Sequence, residues 1–235
     1  MRTLANRLLY ALLYAWARAH ALLPMCALYV LSDIFYVLIY HLVRYRVRVV
    51  RSNLRGAFPQ MSPQERLRLE RRFYHHFSDY VVGNIKLAGI THKELLRRAH
   101  LRPLLEAGHK ALVLVMGHYG NWEWFTGFPS SFGGLLDVYQ IYRPLDSPAF
   151  DRLFLHLRTR FGARCVPKKD VVRQLVRVSR SRRPGLFVFI ADQTPSRANL
   201  HYWTNFLGHD TAMLNGPERL AVKMNLPVIY ADVRR

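Results

Sequence analysis

Acidic residues are scarce in this chain: 15 Asp and Glu stand against 35 Lys and Arg, giving a formal charge of +20 with histidine neutral. Cysteine is scarcer, with Cys26 and Cys165 far apart and in no CxxC spacing. That excludes a disulfide scaffold and a cysteine-based zinc site, and fits a reducing compartment. Zinc-finger spacing, an aromatic RNP pattern and a basic zipper are all missing, so a nucleic-acid partner is not expected despite the charge. There is no His-Glu-x-x-His, and the eleven histidines are scattered, so no metal site is expected. The His75-His76 pair reads as a helix surface. No Gly-x-Ser-x-Gly elbow occurs, which argues against a covalent acyl-serine enzyme. Apolar residues are not lacking: at 51% they exclude a disordered polyelectrolyte. A chain of 235 residues can bury roughly 70% of its unfolded surface, enough for one large domain or two small ones.

The positive charge is clustered. Arg44, Arg46, Arg48, Arg51, Arg55, Arg66, Arg68, Arg71 and Arg72 crowd one stretch, opposed only by Glu65 and Glu70. A second crowd runs from Arg158 to Arg183 with Asp170 as its sole acid. Such surfaces attract anionic lipid, acidic proteins or phosphorylated substrates. Ahead of the first crowd, residues 4–43 are apolar almost throughout. Ala19–Val43 has the length to cross a bilayer, which takes about 20 apolar residues. Pro24 interrupts it, however, and Ser32-Asp33 would fall near mid-membrane, where a carboxylate is costly. The expectation is a membrane-associated pair of helices, Leu4–Leu23 and Pro24–Val43, with a buried core helix as the other reading. The arginines from Arg44 onward suit an interfacial anchor facing the cytoplasm. The organisation expected is therefore residues 1–43 as an anchoring segment and 44–235 as one catalytic-type domain.

Ser62-Pro63-Gln64-Glu65 reads as a capping box opening a helix to about Val82, and Thr91–Glu94 repeats the pattern before Leu95–His100. Short apolar runs at Ala111–Met116, Leu135–Tyr142, Ala163–Val166, Leu186–Ile190 and Pro227–Val233 read as strands. Helices are expected between them: from Ser147-Pro148 to about Phe161, from Asp170 to about Ser181, and from Pro217-Glu218 onward. Strands alternating with helices, several apolar throughout, predict an α/β fold whose mixed, mostly parallel sheet is covered on both faces.

The most informative segment is Gly117-His118-Tyr119-Gly120-Asn121-Trp122-Glu123-Trp124. It follows a predicted strand directly, where α/β folds place their sites. His118 and Glu123 cannot share a helix face at this spacing, but two glycines allow a turn that returns the glutamate to the imidazole. A carboxylate holding the ring would make His118 a base toward a hydroxyl, active until the imidazole protonates. The competing reading is a structural histidine and a surface glutamate.

This His118–Glu123 segment, with Gly-Asn-Trp-Glu inside it, resembles the signature of the lipid A biosynthesis (late, or secondary) acyltransferases, the lauroyl/myristoyl acyltransferase type. Other stretches agree in order: Arg51-Ser52-Asn53-Leu54 with Ala57-Phe58-Pro59, Tyr142-Arg143-Pro144, Ala191-Asp192-Gln193 with Phe206-Leu207-Gly208, and Leu220-Ala221 before Leu226-Pro227-Val228. The resemblance implies a glycerolipid-acyltransferase-like fold in the bacterial inner membrane, with its active site on the cytoplasmic side. It implies transfer of an acyl chain from acyl carrier protein to a hydroxyl of a lipid A precursor, with no cofactor beyond the acyl donor. His118 would be general base in a dyad with Glu123; Arg143 would bind phosphate or support an oxyanion; Asp192 and Asn121 would help bind substrate. Acyl carrier protein, the phosphorylated precursor and anionic inner-membrane lipids would all meet the basic surface. Family members usually continue beyond the point matching Arg235, so a truncated sheet or acyl groove is an expectation. Alternatives are a glycerolipid (lysophosphatidic-acid-type) or aminolipid O-acyltransferase, or a non-catalytic membrane-bound anion-binding scaffold. A Phe-Pro-Glu-Gly motif after His118 would favour the first of these, and none is present.

Overall fold

The computed structural model describes residues 2–91 and 105–233. Of the capping pattern expected at Thr91–Glu94 only Thr91 is among them, and the helix behind it falls outside them. Pro24 splits the apolar N-terminal region in two. Helix α1 covers Arg2–Ala21, and α2 covers Met25–Tyr36 with Pro24 as its extended N-cap. A π-helical extension, Val37–Leu42, continues α2. Together Met25–Leu42 form the one helix among the described residues long and apolar enough to cross a membrane, with mean hydropathy 1.7. Helix α3 (Val47–Ala57) follows a turn in which Arg44 and Arg46 hold positive φ angles of 53° and 55°.

Helix α4 (Pro63–Lys86) starts with the expected capping box. The Glu65 amide donates to Ser62 Oγ at 3.3 Å and the Ser62 amide to Glu65 Oε2 at 2.9 Å. α2 packs along α4, which explains the polar residues inside its apolar run. Ser32 donates to Asp79 at 2.7 Å, while Asp33 stays exposed, 3.6 Å from His75. Glu70 is buried in α4 and accepts from Tyr40 at 2.7 Å and from Arg51 at 2.8 and 3.0 Å. Three donors around one buried carboxylate satisfy it and lock α3 onto α4. α1 is also packed down: Ala17 and Ala21 meet Leu87, Ala88, Leu153, Leu157 and Phe161. Lys86 closes the end of α1 by donating to the carbonyls of Ala21 and Leu23.

The strands are β1 (Ala111–Met116), β2 (Asp137–Tyr142), β3 (Arg164–Pro167), β4 (Gly185–Ile190), β5 (Trp203–Phe206), β6 (His209–Ala212) and β7 (Val228–Tyr230). Five form a sheet of order β3-β2-β4-β1-β7 with every pairing parallel; β5 and β6 form a separate antiparallel hairpin. Helices α5 (Pro148–Thr159), α6 (Val171–Ser179) and α7 (Gly216–Met224) fall between the strands. Alternate residues of β1 serve opposite faces. Val113 joins Phe187 and Tyr139 against α6 and α7, whereas Leu112, Leu114 and Met116 join Leu186 and Val188 against Phe132 and Leu136. Burial on both sides is why these strands read as unbroken apolar runs. The α/β architecture with a mostly parallel, helix-flanked sheet is the one expected from sequence.

Candidate active site

β1 and β4 are hydrogen-bonded neighbours with Met116 opposite Ile190. Parallel register then carries the next residues out together, and the Ala191 amide donates to the Met116 carbonyl at 3.1 Å. One residue further, His118 and Asp192 face each other at the carboxyl ends of adjacent strands. Asp192 Oδ2 accepts the His118 backbone amide at 2.7 Å, and its Oδ1 lies 2.5 Å from the ring Nδ1. Gly117 makes this approach possible: a Cβ there would stand 3.0 Å from Asp192 Oδ2. A carboxylate against Nδ1 fixes that nitrogen as the N–H donor and leaves the Nε2 lone pair free to accept. The Gln193 amide donates to Nε2 from 3.2 Å. Trp122 meets the ring edge-on, with centroids 4.7 Å apart.

Glu123 lies elsewhere than the sequence spacing suggested. It sits in a short 3₁₀ helix, Trp122–Gly127, and only 3% of it is exposed. Its two oxygens take both forks of Arg158 from α5, with Arg158 Nε donating to Oε2 at 2.9 Å and Nη2 to Oε1. Among the described residues no hydrogen bond joins His118 to Glu123. The expected dyad is replaced by two pairs, His118–Asp192 and Glu123–Arg158. The physical reason is that β4 delivers Asp192 to the ring through strand register, while a largely buried guanidinium claims the glutamate. Burial works against the charge of Arg158, but the bidentate glutamate outweighs it and holds the guanidinium above its ordinary value. Trp122 bridges the two pairs, since the Arg158 guanidinium stands 5.8 Å from its ring centroid. Burial also pushes the nearby Tyr80 hydroxyl up to about 12 and the Cys165 thiol up to about 11. Both therefore stay protonated and unreactive at neutral pH.

His118, Glu123 and Arg158 line one cavity of about 870 Å³. Its apolar wall includes Phe125, Ile141, Val188, Leu214 and Leu220; Arg143, Lys168, Lys169 and Arg219 supply positive charge. Glu123 is the one acid lining it among the described residues. Arg143 is exposed with no carboxylate partner among the described residues. Asn121 does not line the cavity. Its side chain packs against Gly83 of α4, where a Cβ would fall 2.5 Å from Asn121 Nδ2, and its buried Oδ1 has no hydrogen-bond partner among the described residues. Asp192 stands behind the imidazole instead of in the cavity wall. The sequence singled out neither Arg158 nor the paired lysines, because all three sit in a run of basic residues with no local mark of burial. Among the described residues no group of three His, Cys, Asp or Glu side chains could hold a metal ion.

This arrangement can accept a proton at His118 Nε2 beside a cavity that is apolar on one side and cationic on another. The family model described as bacterial lipid A biosynthesis acyltransferase matches residues 2–235. No curated protein gives a significant match.

Proposed function

We propose that this chain, which belongs to the bacterial lipid A biosynthesis acyltransferase family, moves a fatty acyl group from an acyl carrier protein thioester to a hydroxyl of a lipid A precursor. The observation that carries the proposal is the His118–Asp192 pair, whose imidazole lines an apolar and cationic cavity. His118 Nε2 takes the proton of the acceptor hydroxyl as its oxygen attacks the thioester carbonyl carbon. The tetrahedral intermediate collapses with cleavage of the carbon–sulfur bond, and the departing thiolate takes the proton back from the imidazolium. The products are an ester and the free carrier thiol, with no acyl-enzyme on the path.

Asp192 keeps the ring in the tautomer that leaves Nε2 basic and balances the imidazolium as it forms. Glu123 acts through Arg158, holding that cation rigid in the cavity wall, where it can stabilise the developing oxyanion. Arg143, Lys168, Lys169 and Arg219 suit the phosphates of the acceptor and of the donor's prosthetic arm. The apolar wall holds the donor chain, at about 0.8 kcal/mol per buried methylene. The Met25–Leu42 helix and the basic surface support a location at the cytoplasmic side of the bacterial inner membrane.

The direct test supplies an acyl carrier protein thioester and a tetra-acylated lipid A precursor to membranes containing the protein. Mass spectrometry should find a gain of one acyl chain, and His118→Ala should lower the rate by about 10²–10⁴-fold. Unchanged precursor with the intact protein would overturn the assignment.

A further inference from the structure

We propose that the β5–β6 hairpin is a membrane-insertion element whose tip enters the interface of an anionic bilayer while the arginines of α3 meet the phospholipid headgroups. Phe206 pairs with His209, so Leu207 and Gly208 alone make the turn. Both hold positive φ, 53° and 75°. Turns of this kind favour Asn-Gly or Gly-Gly, because a branched apolar side chain is strained at positive φ. Leu207 is also 53% exposed, beside Phe206 at 52% and Trp203 at 57%. This leucine therefore costs the isolated molecule twice, in backbone strain and in exposed apolar surface.

The hairpin is braced against α3. A Cβ on Gly208 would lie 2.5 Å from the Gly56 carbonyl oxygen, and a Cβ on Gly56 would lie 2.0 Å from the His209 ring. Arg44, Arg46, Arg48, Arg51 and Arg55, on α3 and the turn leading into it, are all exposed, and no acid occurs between residues 44 and 58. Only Arg51 has a carboxylate partner among the described residues. Asp210 is the single acid on the hairpin. Exposed arginines along the helix that braces a strained apolar tip match the boundary between lipid phosphates and acyl chains. An acidic protein would be met by the arginines without the tip. His201 and Leu214, at the two roots of the hairpin, line the cavity, so insertion would bring the cavity close to the lipid surface. The proposal is independent of acyl transfer, because insertion needs no turnover.

The test uses the full chain reconstituted in vesicles of phosphatidylglycerol and phosphatidylcholine with brominated acyl chains. Subtracting the emission of Trp203→Phe isolates the signal of Trp203 from the other three tryptophans. Bromination should quench that signal about two-fold or more in anionic vesicles, and less in purely zwitterionic ones. Leu207→Asn suits the backbone of the turn, so it should keep or raise the thermal midpoint while removing most of the quenching. An unquenched Trp203 in anionic vesicles would overturn the proposal, as would full quenching in Leu207→Asn. Protection of Trp203 by soluble acyl carrier protein without vesicles would instead assign the surface to a protein partner, and overturn it as well.

Discussion

His118 and Glu123 are five positions apart in sequence, yet each is held by a residue far along the chain. Asp192 takes the imidazole and Arg158 takes the glutamate. Removing either acid should have a different consequence. Asp192→Asn loses the charge that orients and stabilises the ring, so activity should fall by about 10³–10⁴-fold with the thermal midpoint little changed. Glu123→Gln leaves a buried, charged guanidinium without its counter-ion and should destabilise the fold by about 3 kcal/mol. Parallel denaturation and turnover measurements on the two variants check this. Equal loss of stability in both would contradict the two-pair geometry. The sequence marked His118, Glu123 and Asp192 as chemistry-bearing, but pairing them requires knowing which strands are neighbours. Arg158 was hidden for a simpler reason, being one of many cations in its stretch and distinguished only by burial.

Elements were legible in proportion to how strongly local chemistry specifies them. All five strands of the sheet stood out as apolar runs because both faces are covered, and α4 announced itself through Ser62 and Glu65. Replacing Ser62 with Ala should remove one reciprocal cap and cost about 1 kcal/mol, read from the shift in denaturation midpoint. The β5–β6 hairpin escaped notice because Trp-Thr-Asn-Phe is half polar, His-Asp-Thr-Ala is mostly polar, and their turn is Leu-Gly, not Asn-Gly. The π-helical end of α2 was equally silent, since its apolar residues read the same in either helical form. Asp170 stands at the N-cap of α6, where the sequence started that helix, but its carboxylate is engaged by Arg173 at 2.9 Å and makes no side-chain cap bond.

At the scale of the whole molecule, the longest apolar stretch lies at the start of the chain, whereas the positive charge is divided between two crowds, Arg44–Arg72 and Arg158–Arg183. A net charge of +20 draws acidic partners over distances comparable to the screening length, about 10 Å at 0.1 M salt. Raising salt from about 0.05 to about 0.5 M should therefore raise the KM for a carrier-borne acyl donor several-fold while leaving kcat nearly unchanged. A kcat that fell with KM constant would place the charge in the chemical step instead.

The packing of α1 onto α5 has a practical consequence for anyone handling this protein. Ala17 and Ala21 lie against Leu153 and Leu157, on the same helix that presents Arg158 to Glu123. Trimming the greasy leader to obtain a more tractable fragment would strip a wall from that helix and loosen the footing of the buried cation. Detergent or nanodisc handling with α1 kept in place preserves that footing; solubility gained by shortening would come at the expense of the Glu123–Arg158 pair.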